Sequence, residues 1–183
     1  MTLALLRSCI GHELKSYSGY CLFDEADHIY KTARLEFDVF SIDLVNEHEE
    51  LALGPEFIEE QVAILRVDEA SGTLWTPPGK EITCSSCKQF VNDVLVVVDE
   101  ALLARGSRRI IDFKWVQAVL FEDEYGDLQA FDRDIWSDEY LTVRRGPSVS
   151  VTTRDFRPDW IAEPPYDYKY GRTIMRLSSP QSY

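Results

Sequence analysis

The segment between residues 86 and 105 carries the clearest periodic pattern in the chain. Its apolar side chains recur at helical spacing, and polar side chains fill the opposite face. Ser85 or Ser86 can accept hydrogen bonds from the free amides of a first helical turn, and Gly106 can adopt the left-handed conformation that ends a helix. Several β-branched valines favour a strand, but the caps and the length together predict an amphipathic helix over about 86–105. The apolar positions are Phe90, Val91, Val94, Leu95, Val98, Ala101 and Leu102.

Other parts of the chain show strand periodicity. Alternation from Leu35 to Val39 indicates a half-buried strand. Ile110 to Phe121, Asp127 to Phe131 and Tyr140 to Arg145 are typical of strands separated by turns. A weak helical period from Leu3 predicts a short N-terminal helix. The sequence therefore predicts an α+β fold, in which a mainly antiparallel sheet of hairpins and meanders is packed by one central amphipathic helix and the short N-terminal helix.

The length of 183 residues falls within the range of one domain, and neither a repeat nor a linker-like shift in composition divides the chain. We predict a single domain over 1–183. The segment 157–172 is rich in Pro and Tyr and shows neither period, which predicts an ordered wrap across the sheet. Residues 178–183 are predicted to form a frayed tail. If the Pro/Tyr-rich segment packs on a neighbouring subunit instead, the protein would be a structural assembly subunit.

Membrane and export signals are weak. The N-terminal apolar run ends at Arg7, which is too early for a secretory signal peptide. The central run from Val94 to Val98 is far shorter than the roughly 20 residues of a membrane-spanning helix. Four cysteines are too few and too unevenly spaced for a disulfide scaffold in a chain of this size. These observations predict a soluble cytoplasmic protein that does not bind membranes.

Charge is the most unusual property of the composition. Asp and Glu number 32 against 19 Lys and Arg, for a net charge of −13. The excess is concentrated in two blocks: Glu36 to Glu69 holds eleven carboxylates and one arginine, and Glu122 to Glu139 holds eight and one. Nonspecific nucleic-acid binding and docking on anionic membranes both need clustered basic residues. The sequence therefore argues against direct binding to nucleic acid.

Clustered carboxylates have two interpretations. They can form a solvated face that keeps the domain soluble. They can also steer and orient a cationic partner, with interspersed aromatic residues as anchors. The leading hypothesis is a noncatalytic acidic binding protein, of the immunity-protein or inhibitor type, that covers a basic surface of a protein partner and needs neither cofactor nor metal. The candidate partner-binding residues are Glu47, Glu49, Glu50, Glu59, Glu60, Glu122, Asp123, Glu124, Asp127, Asp132, Asp134, Trp136, Asp138, Glu139 and Tyr140.

One enzymatic alternative rests on a CxxC motif, Cys84-Ser85-Ser86-Cys87. At the start of the predicted helix, the first thiol would be favoured as a thiolate, as redox chemistry requires. A structural zinc site would need a second pair of ligands. A third interpretation of the motif is that Cys84 and Cys87 are simply small residues buried beneath the end of the helix. The candidates for a second zinc-ligand pair are Cys9 with His12, or Cys21 and His28.

A second enzymatic alternative comes from an Asp-x-Lys pattern on an apolar strand, Ile110-Ile111-Asp112-Phe113-Lys114. It resembles the motif of the PD-(D/E)xK nuclease superfamily. The resemblance implies a metal-dependent nuclease in which Asp112 and an upstream Asp share a divalent metal while Lys114 stabilises the developing charge. The upstream residue would be Asp99 or Asp93. The resemblance covers only a few residues and departs from the motif at the upstream Pro-Asp.

Overall fold

The chain folds almost entirely into antiparallel strands. The computed structural model describes residues 3–21, 28–51, 60–72, 80–133, 140–146 and 166–178. These residues form helix α1 (Leu3–Ser8) and strands β1 (Glu13–Cys21), β2 (His28–Phe37), β3 (Ser41–Leu51), β4 (Glu60–Glu69), β5 (Lys80–Cys84), β6 (Gln89–Phe90), β7 (Asp93–Arg105), β8 (Arg108–Glu122), β9 (Leu128–Arg133), β10 (Tyr140–Gly146) and β11 (Tyr166–Arg176).

The strands join one sheet in the order β11-β7-β8-β9-β10-β2-β1-β5. Strand β6 also pairs with β1, and β3 pairs with both β2 and β4. Strand β2 contacts β10 through residues 28–30 and β3 through residues 32–36.

The predicted central helix over 86–105 is wrong, because this segment forms β6 and all of β7. Strand β7 lies between β8 and β11, which pair with it along nearly its whole length. Val94, Leu95, Val96 and Val97 are each at most 6 % exposed, so both faces are buried in the first half of the strand. A strand buried on both faces loses the alternation that would identify it, and its apolar run resembles a buried helix.

The residues that suggested helix caps have other roles. Ser85 and Ser86 lie in the turn between β5 and β6. Gly106 has φ +59° in the tight turn that joins β7 to β8, where Arg105 pairs with Arg108. A glycine with positive φ at the first central position is typical of a two-residue hairpin turn. The α+β class is therefore overturned: the fold is mostly antiparallel β-sheet with one short helix.

Other elements lie close to their predicted positions. Helix α1 corresponds to the predicted N-terminal helix, and β8, β9 and β10 contain nearly all of the three later strand segments. Strand β11 begins at Tyr166, inside the segment predicted as an ordered wrap. The rest of that segment, 157–165, and the tail from 179 onward lie outside the described residues.

The core occupies both faces of β7, β8 and β9. On one face, Phe121 and Phe131 pack edge to face with ring centroids 6.1 Å apart, and Tyr17 packs on Phe131 at 5.4 Å. The opposite face holds a smaller cluster of Leu95, Val97, Ala118, Leu120 and Ala130. These three strands therefore have buried side chains on both sides of the sheet.

Candidate functional site

Four connections lie close together around the start of β1 and the start of β7, in a region that we call the loop end. They are the turn before β1 (9–12), the β2–β3 loop (38–40), the β6–β7 connection (91–92) and the β8–β9 loop (123–127). Backbone hydrogen bonds tie these connections and the end of β11 to neighbouring strands. The donors and acceptors are Gly11 N to Val91 O (2.9 Å), Asp38 N to Glu13 O (3.1 Å), Asn92 N to Glu122 O (2.8 Å) and Leu177 N to Val94 O (2.9 Å).

Apolar side chains are exposed at the loop end. Among the described side chains, the large hydrophobic residues that stand out into solvent are Val39 (70 % exposed), Phe90 (54 %), Tyr125 (84 %) and Ile174 (46 %). Val39 and Tyr125 lie in the loop end and Phe90 borders it, whereas Ile174 lies within β11. Exposed apolar groups that share one region and are surrounded by polar groups are typical of interaction surfaces.

The β8–β9 loop is held in a defined turn. The Asp123 carboxylate accepts hydrogen bonds from the backbone amides of Tyr125 and Asp127, both at 2.9 Å. Gly126 has φ +84°, which favours glycine there. The turn leaves Glu124 exposed and Asp127 half-buried. A hydrogen bond to the Glu124 carboxylate raises the pKa of Tyr125.

Several carboxylates of the two acidic blocks are paired with arginines of the same chain. Arg176 binds Glu122 at 2.6 Å and Asp93 at 3.1 Å. Arg66 pairs with Glu47, and Arg144 pairs with Asp132. Glu47, Glu122 and Asp132, all predicted to contact a partner, are therefore partly neutralised within the fold.

The remaining predicted residues are placed as follows. Tyr140 is only 8 % exposed, and its ring packs on Tyr30 at 5.6 Å, so it belongs to the interior rather than to a contact surface. Glu49, Glu50 and Glu60 lie in β3 and β4, but their side chains are outside the described part. Positions Glu59, Asp134, Trp136, Asp138 and Glu139 also lie outside the described residues.

The structure does not gather the proposed zinc ligands. In the part of the chain that it describes, no three His, Cys, Asp or Glu side chains are grouped so that they could hold a metal ion. Cys9 follows α1, and its thiol donates to the carbonyl of Leu5 at 3.5 Å. Cys84 and Cys87 flank a turn between two strands, so the predicted position at a helix N-terminus is wrong.

The upstream aspartates of the nuclease hypothesis are also engaged by the chain itself. Asp99 is fully buried, and its two oxygens accept from the Arg172 guanidinium at 2.6 Å each. Asp93 accepts from the amides of Val94 and Ser178. Lys114 pairs with Glu100 at 2.7 Å. Both candidates for the upstream metal ligand therefore have partners other than a metal.

Sequence reasoning missed the exposed apolar side chains. The predicted helix places Phe90 on its apolar, buried face, so this prediction gives no indication that the side chain is exposed. Tyr125 lies between Glu124 and Gly126 in a polar turn, and an aromatic residue in such a turn is a signal that could have been recognised. Val39 lies where the alternation slips and carries no comparable signal.

The structure also bears on membrane association. Within the described ranges, no helix has the length and apolar character needed to cross a membrane.

No protein-family model, curated protein or solved structure matches this chain.

Proposed function

We propose that this protein is a noncatalytic acidic binding protein, of the immunity-protein or inhibitor type, whose loop end covers a basic surface of a protein partner. The observation that carries the proposal is the exposure of Val39, Phe90 and Tyr125 in and beside the loop end, among carboxylates. Interfaces of this kind combine central apolar anchors with charges that orient the partner.

The β8–β9 loop is the best-supported part of this surface. Glu124 and Asp127 flank Tyr125, and Arg176 neutralises Glu122 at the base of the loop. The hydrogen bonds to Asp123 hold the loop in one conformation before a partner arrives. Preorganisation reduces the entropy lost on binding. We infer that Glu124, Tyr125 and Asp127 make the principal contacts and that Asp123 supports them.

The rest of the loop end extends the surface across the sheet. Glu13 is exposed and pairs across the ladder with Phe90, and the neighbouring Asp38 binds His12 at 2.9 Å. A complementary partner would present lysine or arginine side chains around an apolar depression that accepts an aromatic ring. Complementary charge increases the association rate, and this contribution weakens as salt increases.

A cytoplasmic location belongs to the same proposal. All four cysteines are reduced in the structure, and Cys9, Cys21 and Cys87 are buried. Free thiols persist in reducing compartments, whereas exported proteins of this size more often pair them.

A charge-matched pair of variants tests the binding surface. The probe is a fluorescent synthetic peptide of Arg, Lys and Leu, followed by anisotropy. Glu124→Gln with Asp127→Asn should weaken binding about tenfold, which corresponds to about 1.4 kcal/mol. The control, Glu81→Gln with Asp167→Asn, removes two exposed carboxylates from β5 and β11. It should weaken binding by less than about twofold, because screening limits the reach of distant charges.

The aromatic anchor has its own variant. Tyr125→Ser should weaken binding of the same peptide by about tenfold, because the ring is 84 % exposed and free to be buried by a partner. Equal losses in the loop variant and the charge-matched control would show that net charge alone attracts the peptide. That result, or full affinity in Tyr125→Ser, would refute the proposed surface.

A further inference from the structure

The CxxC turn places an accessible thiol beside a buried one. Cys84 is the last residue of β5 and is partly exposed, whereas Cys87 is only 2 % exposed. The Cys87 thiol donates to the carbonyl of Cys84 at 3.1 Å. The Cys84 sulfur lies 3.3 Å from the Ser86 hydroxyl oxygen. Both thiols are thus part of one hydrogen-bonded turn.

The surroundings differentiate the acidities of the two thiols. Burial raises the pKa of Cys84, but hydrogen bonds from Ser86, Tyr17 and Cys87 outweigh it, so the pKa of Cys84 is lowered overall. Burial, together with the negative charge of a Cys84 thiolate, raises the pKa of Cys87 to about 11. At neutral pH Cys84 is therefore the better source of thiolate, and Cys87 retains its proton.

Contacts from other strands hold the turn in place. The Arg145 guanidinium, at the end of β10, donates to the carbonyl of Ser86 at 2.6 Å and to that of Lys88 at 3.4 Å. The Gln89 side chain donates to the carbonyl of Phe121 at 3.0 Å. Because the two ends of the turn are anchored on the sheet, the two cysteines stay next to each other without help from a covalent bond.

We propose that Cys84 and Cys87 form a reversible dithiol–disulfide site that reacts with small-molecule disulfides. The Cys84 thiolate attacks one sulfur of the small disulfide, which releases one thiol and leaves a mixed disulfide on Cys84. Cys87 then gives up its proton and attacks the Cys84 sulfur, which releases the second thiol and closes the protein disulfide. The protein loses two protons and two electrons, and the small disulfide gains them. This site is independent of the binding surface proposed above.

The other two cysteines supply an internal reference. Cys9 is fully buried, and burial raises its pKa to about 12. Cys21 is 3 % exposed. Neither should react with a small disulfide while the protein stays folded, because the thiolate is the reactive species and access is blocked.

The test uses the full chain, reduced and then incubated with oxidised glutathione at neutral pH. After quenching in acid, remaining thiols are alkylated under denaturing conditions and mapped by peptide mass spectrometry. We expect Cys84 and Cys87 to escape alkylation together as one internal disulfide, while Cys9 and Cys21 are alkylated. Addition of a dithiol reductant should restore alkylation at both positions. Stable glutathione adducts without an internal disulfide would overturn the proposal.

Two variants separate the roles of the thiols. Cys87→Ser should accumulate one glutathione on Cys84, because no second thiol resolves the mixed disulfide. Cys84→Ser should react at Cys87 at least about tenfold more slowly, because that thiol is buried and protonated. Equal reaction of the two variants would refute the assignment. If Cys87→Ser does not fold, as judged by circular dichroism, Cys87→Ala replaces it, and the wild-type mapping stands without either variant.

The pH dependence gives an independent readout. Alkylation of folded wild-type protein at Cys84 should rise with pH and reach half its maximum below the pH found for an ordinary thiol, because the pKa of Cys84 is lowered. The corresponding rise at Cys87 should occur at higher pH. Coincident profiles at the two sites would contradict the proposed division of labour.

Discussion

Arg172→Met is expected to lower the free energy of unfolding by about 3–5 kcal/mol, because it leaves a buried carboxylate without its counter-charge. Asp99 is fully buried, and Arg172 donates to both of its oxygens. Arg172 also donates to the Tyr170 hydroxyl oxygen at 3.1 Å. The variant would remove these hydrogen bonds together and leave the Asp99 carboxylate buried without them.

Urea denaturation of the variant, followed by far-UV circular dichroism, measures this effect. The control is Lys114→Met, which breaks the ion pair between Lys114 and Glu100. The Lys114 side chain is 64 % exposed and the Glu100 side chain is 47 % exposed. Exposed pairs contribute less than about 1 kcal/mol. If Arg172→Met were no more destabilised than Lys114→Met, the buried pair would not have the importance assigned to it here.

A double variant separates lost pairing from lost packing. Asp99→Leu combined with Arg172→Met removes both charges, and apolar replacement of a whole buried ion pair is often close to neutral. The double variant should therefore be more stable than Arg172→Met alone. A double variant less stable than the single one would mean that the shape of the pair, rather than its charge, holds β7 and β11 together.

Gly19→Ala is expected to lower the free energy of unfolding by about 1–3 kcal/mol, because the space for a methyl group is already occupied. A Cβ at this position would lie 2.3 Å from Ile29 Cγ2 and 2.9 Å from the carbonyl oxygen of Thr32. The β1–β2 register shifts here, and Lys31, in the bulged part of β2, has φ +56°. The bulge brings β2 onto Gly19, so the backbone itself would have to move.

Gly171→Ala is the matched control, since this glycine also lies within a strand. Its Cβ would meet only the side chain of Glu100, which is half-exposed and can swing away. Thermal or urea unfolding should therefore show little change for Gly171→Ala. In an Ile29→Ala background, Gly19→Ala should destabilise less than in the wild type, because one of its two close contacts is gone. The same loss in both backgrounds would contradict the proposed clash with Ile29.

The local pattern was sufficient for strands with one buried face or clear turn residues. Tyr140 to Arg145 lies in β10, and Ile110 to Phe121 lies in β8, because strand propensity and neighbouring turns are properties of short segments. The same reasoning failed for β7. Its valines favoured a strand, but its apolar run resembles one side of a helix until partners on both sides are known.

The candidate site was predictable only in part. The acidic composition of the β8–β9 loop is visible in the sequence, and the structure shows how Asp123 shapes that loop. Which carboxylates are neutralised was not visible, because Arg176 meets Glu122 across 54 residues of chain and Arg172 meets Asp99 across 73. The exposure of Phe90 also depended on assigning its segment to a strand.

The sequence by itself determined the charge excess, the positions of strands β8, β9 and β10, and the spacing of Cys84 and Cys87, because each depends on residue type and short-range order. The tertiary structure alone decided that β7 pairs with β8 on one side and β11 on the other. It also decided which arginines form ion pairs with which carboxylates, and which of the two neighbouring thiols is exposed. Strand order brings together residues far apart in the chain, and burial and electrostatic pairing arise from those distant neighbours.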